Sequence, residues 1–147
     1  MMKLRDTGHT LPAAAACLSP VRDLADRGEP PVAFNDPVLP RKVLSRYRTS
    51  YVAQANGRNP LISPVFGDWR GLPPVLVHVG EDEVLRGDAV RLQEAGTAAG
   101  LDVRLEIDPR MWHVGQIHLE LAQAVKSLGD IAQALNACLP ANVSESA

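Results

Sequence analysis

The chain holds two cysteines in 147 residues, no run of basic residues, no apolar stretch long enough to cross a bilayer and no internal repeat. Cys17 and Cys138 lie far apart and are too few for a disulfide framework or a paired-thiol metal site. Two reduced, buried thiols are the expectation, and the cytoplasm is the simplest compartment. Lys and Arg number 15 against 17 Asp and Glu, for a net charge of −2. Nothing therefore supplies the positive stripe that a phosphate backbone requires, which argues against a nucleic-acid partner. The apolar stretch near the N-terminus is bracketed by Pro12 and Pro20 and falls well short of the ~20 residues that span a membrane. A signal peptide is the weaker reading, and the sequon at Asn142-Val143-Ser144 carries meaning only in a secreted chain. What is present, 46% hydrophobic and 22% charged residues, describes one soluble domain or a piece of a larger one.

The second half is the more readable. "PPVLVHVG" (73–80) is apolar and β-branched, opened by prolines and closed by glycine, which predicts a fully buried parallel strand. "RGDAVRLQEAGTAA" (86–99) sets Ala89, Leu92, Ala95 and Ala99 near helical spacing, with Gly100 as the stop. "LDVRLEID" (101–108) alternates Leu101, Val103, Leu105 and Ile107 against charged residues, a second strand with one buried face near the sheet's edge. From Ile117 to Leu139, apolar Leu121, Ala124, Leu128, Ile131, Leu135 and Cys138 recur close to the 3.6 period until Pro140, predicting a long amphipathic helix. Strand, helix, strand, helix with short turns is a parallel α/β arrangement. The polar end 140–147 reads as a disordered tail.

Upstream, "PAAAACLSP" suits a helix by alanine propensity, but seven residues between prolines are few for one, so a short buried strand competes. Residues 20–74 hold nine of the twelve prolines, and their one helix-like piece is "PRKVLSRYRTSYV" (40–52). The segment reads as loop with one or two short helices over the sheet.

Open parallel sheets bind ligands at the carboxyl ends of their strands. The strand ending at Val79 runs into "GEDEVLRGD" and the one ending at Ile107 into "DPRMWH", so both loops emerge on one edge. Neighbouring strands, about 4.8 Å apart, would let a carboxylate from 81–83 reach a ring nitrogen of His113 and fix its tautomer, giving two members of an acid, histidine and nucleophile system. Acidic turns after strands are common, however, and a histidine beside Trp112 can simply pack. His9, His78 and His118 are weaker candidates: a turn residue, a core or helix-covered residue, and a helix start. No histidine spacing recommends a metal site, and no cofactor is implied.

"LSPVRDL" (18–24), "NPLISPVFGDWRGLPPVLVHVGEDEVLRGDAVRL" (59–92) and "RMWHVGQ" (110–116) resemble the C-terminal half of the hormone-sensitive-lipase-like carboxylesterases and lipases, the alpha/beta hydrolase fold-3 group. The resemblance covers nearly all of residues 3–139. It implies an incomplete alpha/beta-hydrolase fold of about three parallel strands with flanking helices, occupying 1–139, with 12–18 as a strand and 20–55 as a cap-like segment over an acyl pocket. His113 matches the histidine of the family's Ser-His-Asp/Glu triad. Relatives with a DPL motif carry the acid two residues before the leucine and thirty before the histidine; here Leu85 and His113 select Glu83, with the adjacent Asp82 as the alternate acid. Small departures are Gly115 at a commonly aromatic position and Gly87 at a commonly acidic one, both expected to loosen the histidine loop.

The family's oxyanion-hole HGGG and its GDSAGG-type nucleophile elbow are expected upstream of "KLRDTG", which resembles the end of the helix after the nucleophile. Neither GxSxG nor HGG occurs in the sequence. Ser19 and Ser63 precede prolines in motifs the family uses structurally, so no nucleophile is assigned. Three readings follow. The chain is part of a serine ester hydrolase, inactive alone and acting on a small acyl ester once an N-terminal half completes it. Alternatively it is a non-catalytic remnant or interaction module, self-associating or joining a complementing chain through an exposed sheet edge. In the third, it is an unrelated α/β domain with an incidental acid and histidine.

Overall fold

The computed structural model describes residues 1–25 and 36–139. The expected tail at 140–147, and residues 26–35 of the cap-like segment, lie outside them. A short helix α1 (Met2–Asp6) precedes strand β1 (Ala15–Leu18); then come helix α2 (Arg41–Val52), strand β2 (Val75–Gly80), helix α3 (Arg86–Ala98), strand β3 (Val103–Asp108) and helix α4 (Ala122–Ala137). Single turns of 3-10 helix occur at Pro64–Phe66 and Gly115–Ile117.

The three strands form one parallel sheet in the order β1-β2-β3. Ala15 pairs with Val75, and Val75 with Val103. Every residue of β2 is buried, as a β-branched run without polar alternation requires of a central strand. Val75, Val77 and Val79 pack with Ala89 and Leu92 of α3 and with Trp69 and Leu72. His78, of opposite parity, meets Ser127 of α4. Helices thus cover both faces of β2, and each fully buried valine contributes roughly 1.5–3 kcal/mol. Of the region 12–18, balanced between helix and strand by composition, Ala15–Leu18 is strand, paired with β2, and residues 12–14 lead into it without strand pairing.

Helix α3 ends as its glycine signals. Gly100 takes φ 76°, where a side chain would be strained, and Leu101 N–H donates to the Gly96 carbonyl at 2.9 Å. Four expectations need correction. β3 begins at Val103 and its inner face is only partly covered: Val103 is buried, Leu105 half-buried and Ile107 36% exposed. The cause is that α3 closes over the start of the strand, where Gly96 abuts Val103. Helix α4 starts at Ala122, because the preceding Gly115–Ile117 turn and its loop carry Ile117 and Leu119 outward. Leu128, expected inside, is exposed, and Ser127 is buried in its place. The thiols of Cys17 and Cys138 are free but only half-buried.

Helix α2 matches the stretch expected to be helical and buries no residue of its own. Val43 and Leu44 nonetheless pack against Leu39, Val84 and Leu85, which places this helix over the loop that follows β2.

Candidate active site

Because the strands are parallel, the loops leaving β1, β2 and β3 converge at one edge. The loop after β2 turns Glu83 inward, fully buried, while Asp82 remains exposed. Asp82 contributes its backbone, donating N–H to the Met111 carbonyl at 2.9 Å. Gly80 allows that approach: a Cβ there would stand against the carbonyls of Met111 and Trp112. The loop after β3 is shaped by two left-handed residues, Arg110 (φ 55°) and Val114 (φ 49°). Glu81 steadies the first by accepting the Arg110 N–H at 3.1 Å.

These loops bring Glu83 Oε1 to 3.6 Å from His113 Nδ1. Neither atom has a hydrogen-bond partner among the described residues. The separation exceeds a hydrogen bond. Glu83 Oε2 is saturated instead, accepting from the Ser19 hydroxyl at 2.7 Å and from Gly80 N–H at 2.9 Å. With the His113 side chain 22% exposed and Glu83 at 0%, the carboxylate is buried beneath a ring that reaches the surface. Of the residues singled out in the sequence, Glu83 and His113 are brought together and Asp82 is not.

Around the pair lie residues that the motifs did not single out. Asp36 accepts from Val38 and Leu39 N–H at 2.9 Å and from Val84 N–H at 3.3 Å, tying the entry to α2 to the Glu83 loop. Asp88 accepts from Arg22 N–H at 3.1 Å and so anchors the segment after β1. Gln116 donates to Asp108 at 3.0 Å and to Ser127 at 3.1 Å, fastening the histidine loop to β3 and α4. Gly115 does not leave that loop slack, since it is buried against the Met111 side chain. A Cβ at Gly87 would meet nothing within 4 Å.

The other histidines are placed elsewhere. His9 is exposed beside Thr7, and His118 meets Trp112 edge-on with ring centroids 5.5 Å apart, so the packing that a histidine near Trp112 suggested falls on His118. His78 is fully buried and lies 2.8 Å from Ser127 Oγ and 3.3 Å from Asp108 Oδ2 through Nδ1.

Parallel strands whose carboxyl ends set a buried acid against a histidine are the arrangement of α/β hydrolases. The alpha/beta hydrolase fold family matches residues 1–117. An acetyl-hydrolase of Streptomyces hygroscopicus is 43% identical over 116 residues, 78% of this chain and 39% of that protein. An esterase of Acinetobacter venetianus is 30% identical over 137 residues, 90% of this chain and 45% of that protein. The crystal structure of a hormone-sensitive lipase from a metagenome library superposes with a TM-score of 0.89 at 35% identity, covering 95% of this chain and 49% of that one. The chain belongs to the alpha/beta hydrolase fold family, within its hormone-sensitive-lipase-like esterases. It spans about half the length of these relatives or less. Among the described residues no helix is long and apolar enough to cross a membrane.

Proposed function

We propose that the chain supplies the acid and base of a serine carboxylic ester hydrolase. The observation carrying this reading is the Glu83 carboxylate facing His113 Nδ1 at 3.6 Å, at the edge where three parallel strands end. A carboxylate on Nδ1 holds the Nδ1–H tautomer, leaving Nε2 to accept the proton of an attacking serine and return it to the leaving alcohol. Glu83 is the acid in preference to Asp82 because it is buried and aimed at the ring, whereas Asp82 is exposed.

The serine and the oxyanion hole come from a segment outside this sequence, in which no GxSxG and no HGG occurs. Without them the chain has neither a nucleophile nor donors for the developing oxyanion, so it is inactive alone. The substrate is a small acyl ester, and α2 (Arg41–Val52), which lies over the loop that follows β2, forms part of the cap over its pocket. Two free thiols fit a reducing compartment, the cytoplasm. The test is hydrolysis of a short-chain nitrophenyl ester by the chain alone and mixed with a chain carrying HGG and GDSAGG. Turnover is expected only in the mixture and is lost with His113→Ala; serine-dependent turnover by the isolated chain would overturn the reading of inactivity.

One observation favours a second reading, a non-catalytic module. β1 pairs only with β2 among the described residues, and Leu18, its last residue, and Val21, just beyond it, are exposed. A complementing chain or a second copy would bind there. Sedimentation separates the two: a stable homodimer that shows no gain of activity with the missing half favours the module.

A further inference from the structure

We propose that Ser19 is the positioning residue of the Glu83–His113 pair, a single hydroxyl that aims the acid and fixes the histidine loop. The proposal rests on reading Glu83 and His113 as acid and base. Ser19 follows the last residue of β1, and its N–H donates to the His78 carbonyl at 2.8 Å, extending the β1–β2 ladder by one step. Its φ of 47° lies in the left-handed region, a sparsely populated conformation for a residue with a side chain. The hydroxyl is used in both directions. It donates to Glu83 Oε2 at 2.7 Å and accepts Val114 N–H at 3.0 Å.

Two consequences follow from that double bond. With Oε2 taken by Ser19 and by Gly80 N–H at 2.9 Å, the carboxylate is turned so that Oε1, which has no donor of its own, faces His113. The residue after the histidine, Val114, is β-branched at φ 49°; its amide is held by the same oxygen, which restrains a backbone conformation that valine disfavours. Loops from all three strands therefore meet at one oxygen atom, at a site only 4% exposed, where water competes little. The hydroxyl proton is committed to a carboxylate, so Ser19 does not serve as the nucleophile.

The test is the tautomer of His113 in the full chain, read from imidazole 15N shifts at a pH where the ring is neutral, together with hydrogen exchange at the Val114 amide. The unmodified chain is expected to show mainly the Nδ1–H form, and Glu83→Gln to move it to Nε2–H. Ser19→Ala and Ser19→Gly are expected to move it in the same direction and to speed Val114 exchange about tenfold, the loss of one hydrogen bond worth roughly 1–1.5 kcal/mol. Glycine adopts a φ of 47° without penalty, so that variant carries the test if the alanine variant does not fold. If Glu83→Gln shifts the tautomer and the Ser19 variants do not, the role of Ser19 is overturned while the pair stands. If Glu83→Gln shifts nothing, or the unmodified ring is already Nε2–H, the pair itself is refuted.

Discussion

Glu83 Oε1 and His113 Nδ1 stand 3.6 Å apart, each without a hydrogen-bond partner among the described residues. In Glu83→Gln the two donors on Oε2, Ser19 O–H and Gly80 N–H, select the amide carbonyl, so the NH2 group turns toward His113 and forces Nδ1 to accept. The ring then presents Nε2–H to the nucleophile, the wrong tautomer for a base. In the proposed mixture with a chain carrying HGG and GDSAGG, turnover should fall by about 10³–10⁴-fold. Asp82→Asn, at an exposed side chain, should stay within a few-fold of the unmodified rate. Steady-state kinetics with a nitrophenyl ester check both, and a larger loss for Asp82→Asn would transfer the role of acid to that residue.

Gly80 tests how tightly the histidine loop is seated. An alanine Cβ would stand against the backbone carbonyls of Met111 and Trp112, which cannot yield as the end of a flexible side chain would. Gly80→Ala should therefore cost about 1–3 kcal/mol, lowering the urea midpoint, and should displace the His113 amide resonance. Gly87→Ala, within α3 and with nothing within 4 Å of the new Cβ, should leave the resonance in place and hold or slightly raise the midpoint.

How legible these features are in the sequence depends on whether a signal is carried by apolar pattern. β2 is legible because its apolar run is bounded by Pro74 and Gly80. The end of α3 is legible because Gly100 alone there suits a positive φ. β1 is ambiguous because alanine suits a helix until a neighbouring strand pairs with it. The start of α4 is displaced because Ile117 and Leu121 continue the helical period across a turn that serves the histidine loop. Glu83 and Asp82 are adjacent, so only register separates them in sequence, whereas burial separates them in space. Ser19 is legible only as a member of LSPVRDL (18–24), a motif that carries no sign of a contact with the acid. It stands at the carboxyl end of β1, on the same edge as the loops that leave β2 and β3.

Cys17 gives the stability a dependence on alkaline pH. Burial in β1 pushes its thiol above the ordinary value, because the thiolate is the form that desolvation penalises. Between the unfolded and folded pKa values the native state binds the extra proton, so its contribution to stability is complete below the unfolded value and is lost as pH rises through the folded one. The urea midpoint should drop more between pH 7.5 and pH 9.5 in the unmodified chain (a range of roughly one unit either side of a thiol's usual ~8.5) than in Cys17→Ala. Equal slopes in the two proteins would show that the thiol does not carry the effect.

Ser127 and His78 provide a prediction that apolar patterning does not suggest. Ser127 Oγ, 1% exposed, lies 2.8 Å from His78 Nδ1, donates to Asp108 Oδ2 at 3.0 Å and accepts from Gln116 Nε2 at 3.1 Å. One hydroxyl thus joins β2, β3, the histidine loop and α4, and α4 is turned to bury this serine while Leu128 faces outward. Because the hydroxyl's own proton goes to Asp108, it accepts from His78 Nδ1–H. Ser127→Ala keeps the volume close but removes one hydrogen-bond partner from each of the three polar groups, at a cost of about 1–3 kcal/mol for those left short in the core. Leu128→Ala, on the exposed face, should stay within about 0.5 kcal/mol. Urea denaturation of the two variants checks the contrast, and a greater loss for Leu128→Ala would mean that the helix buries its apolar stripe after all.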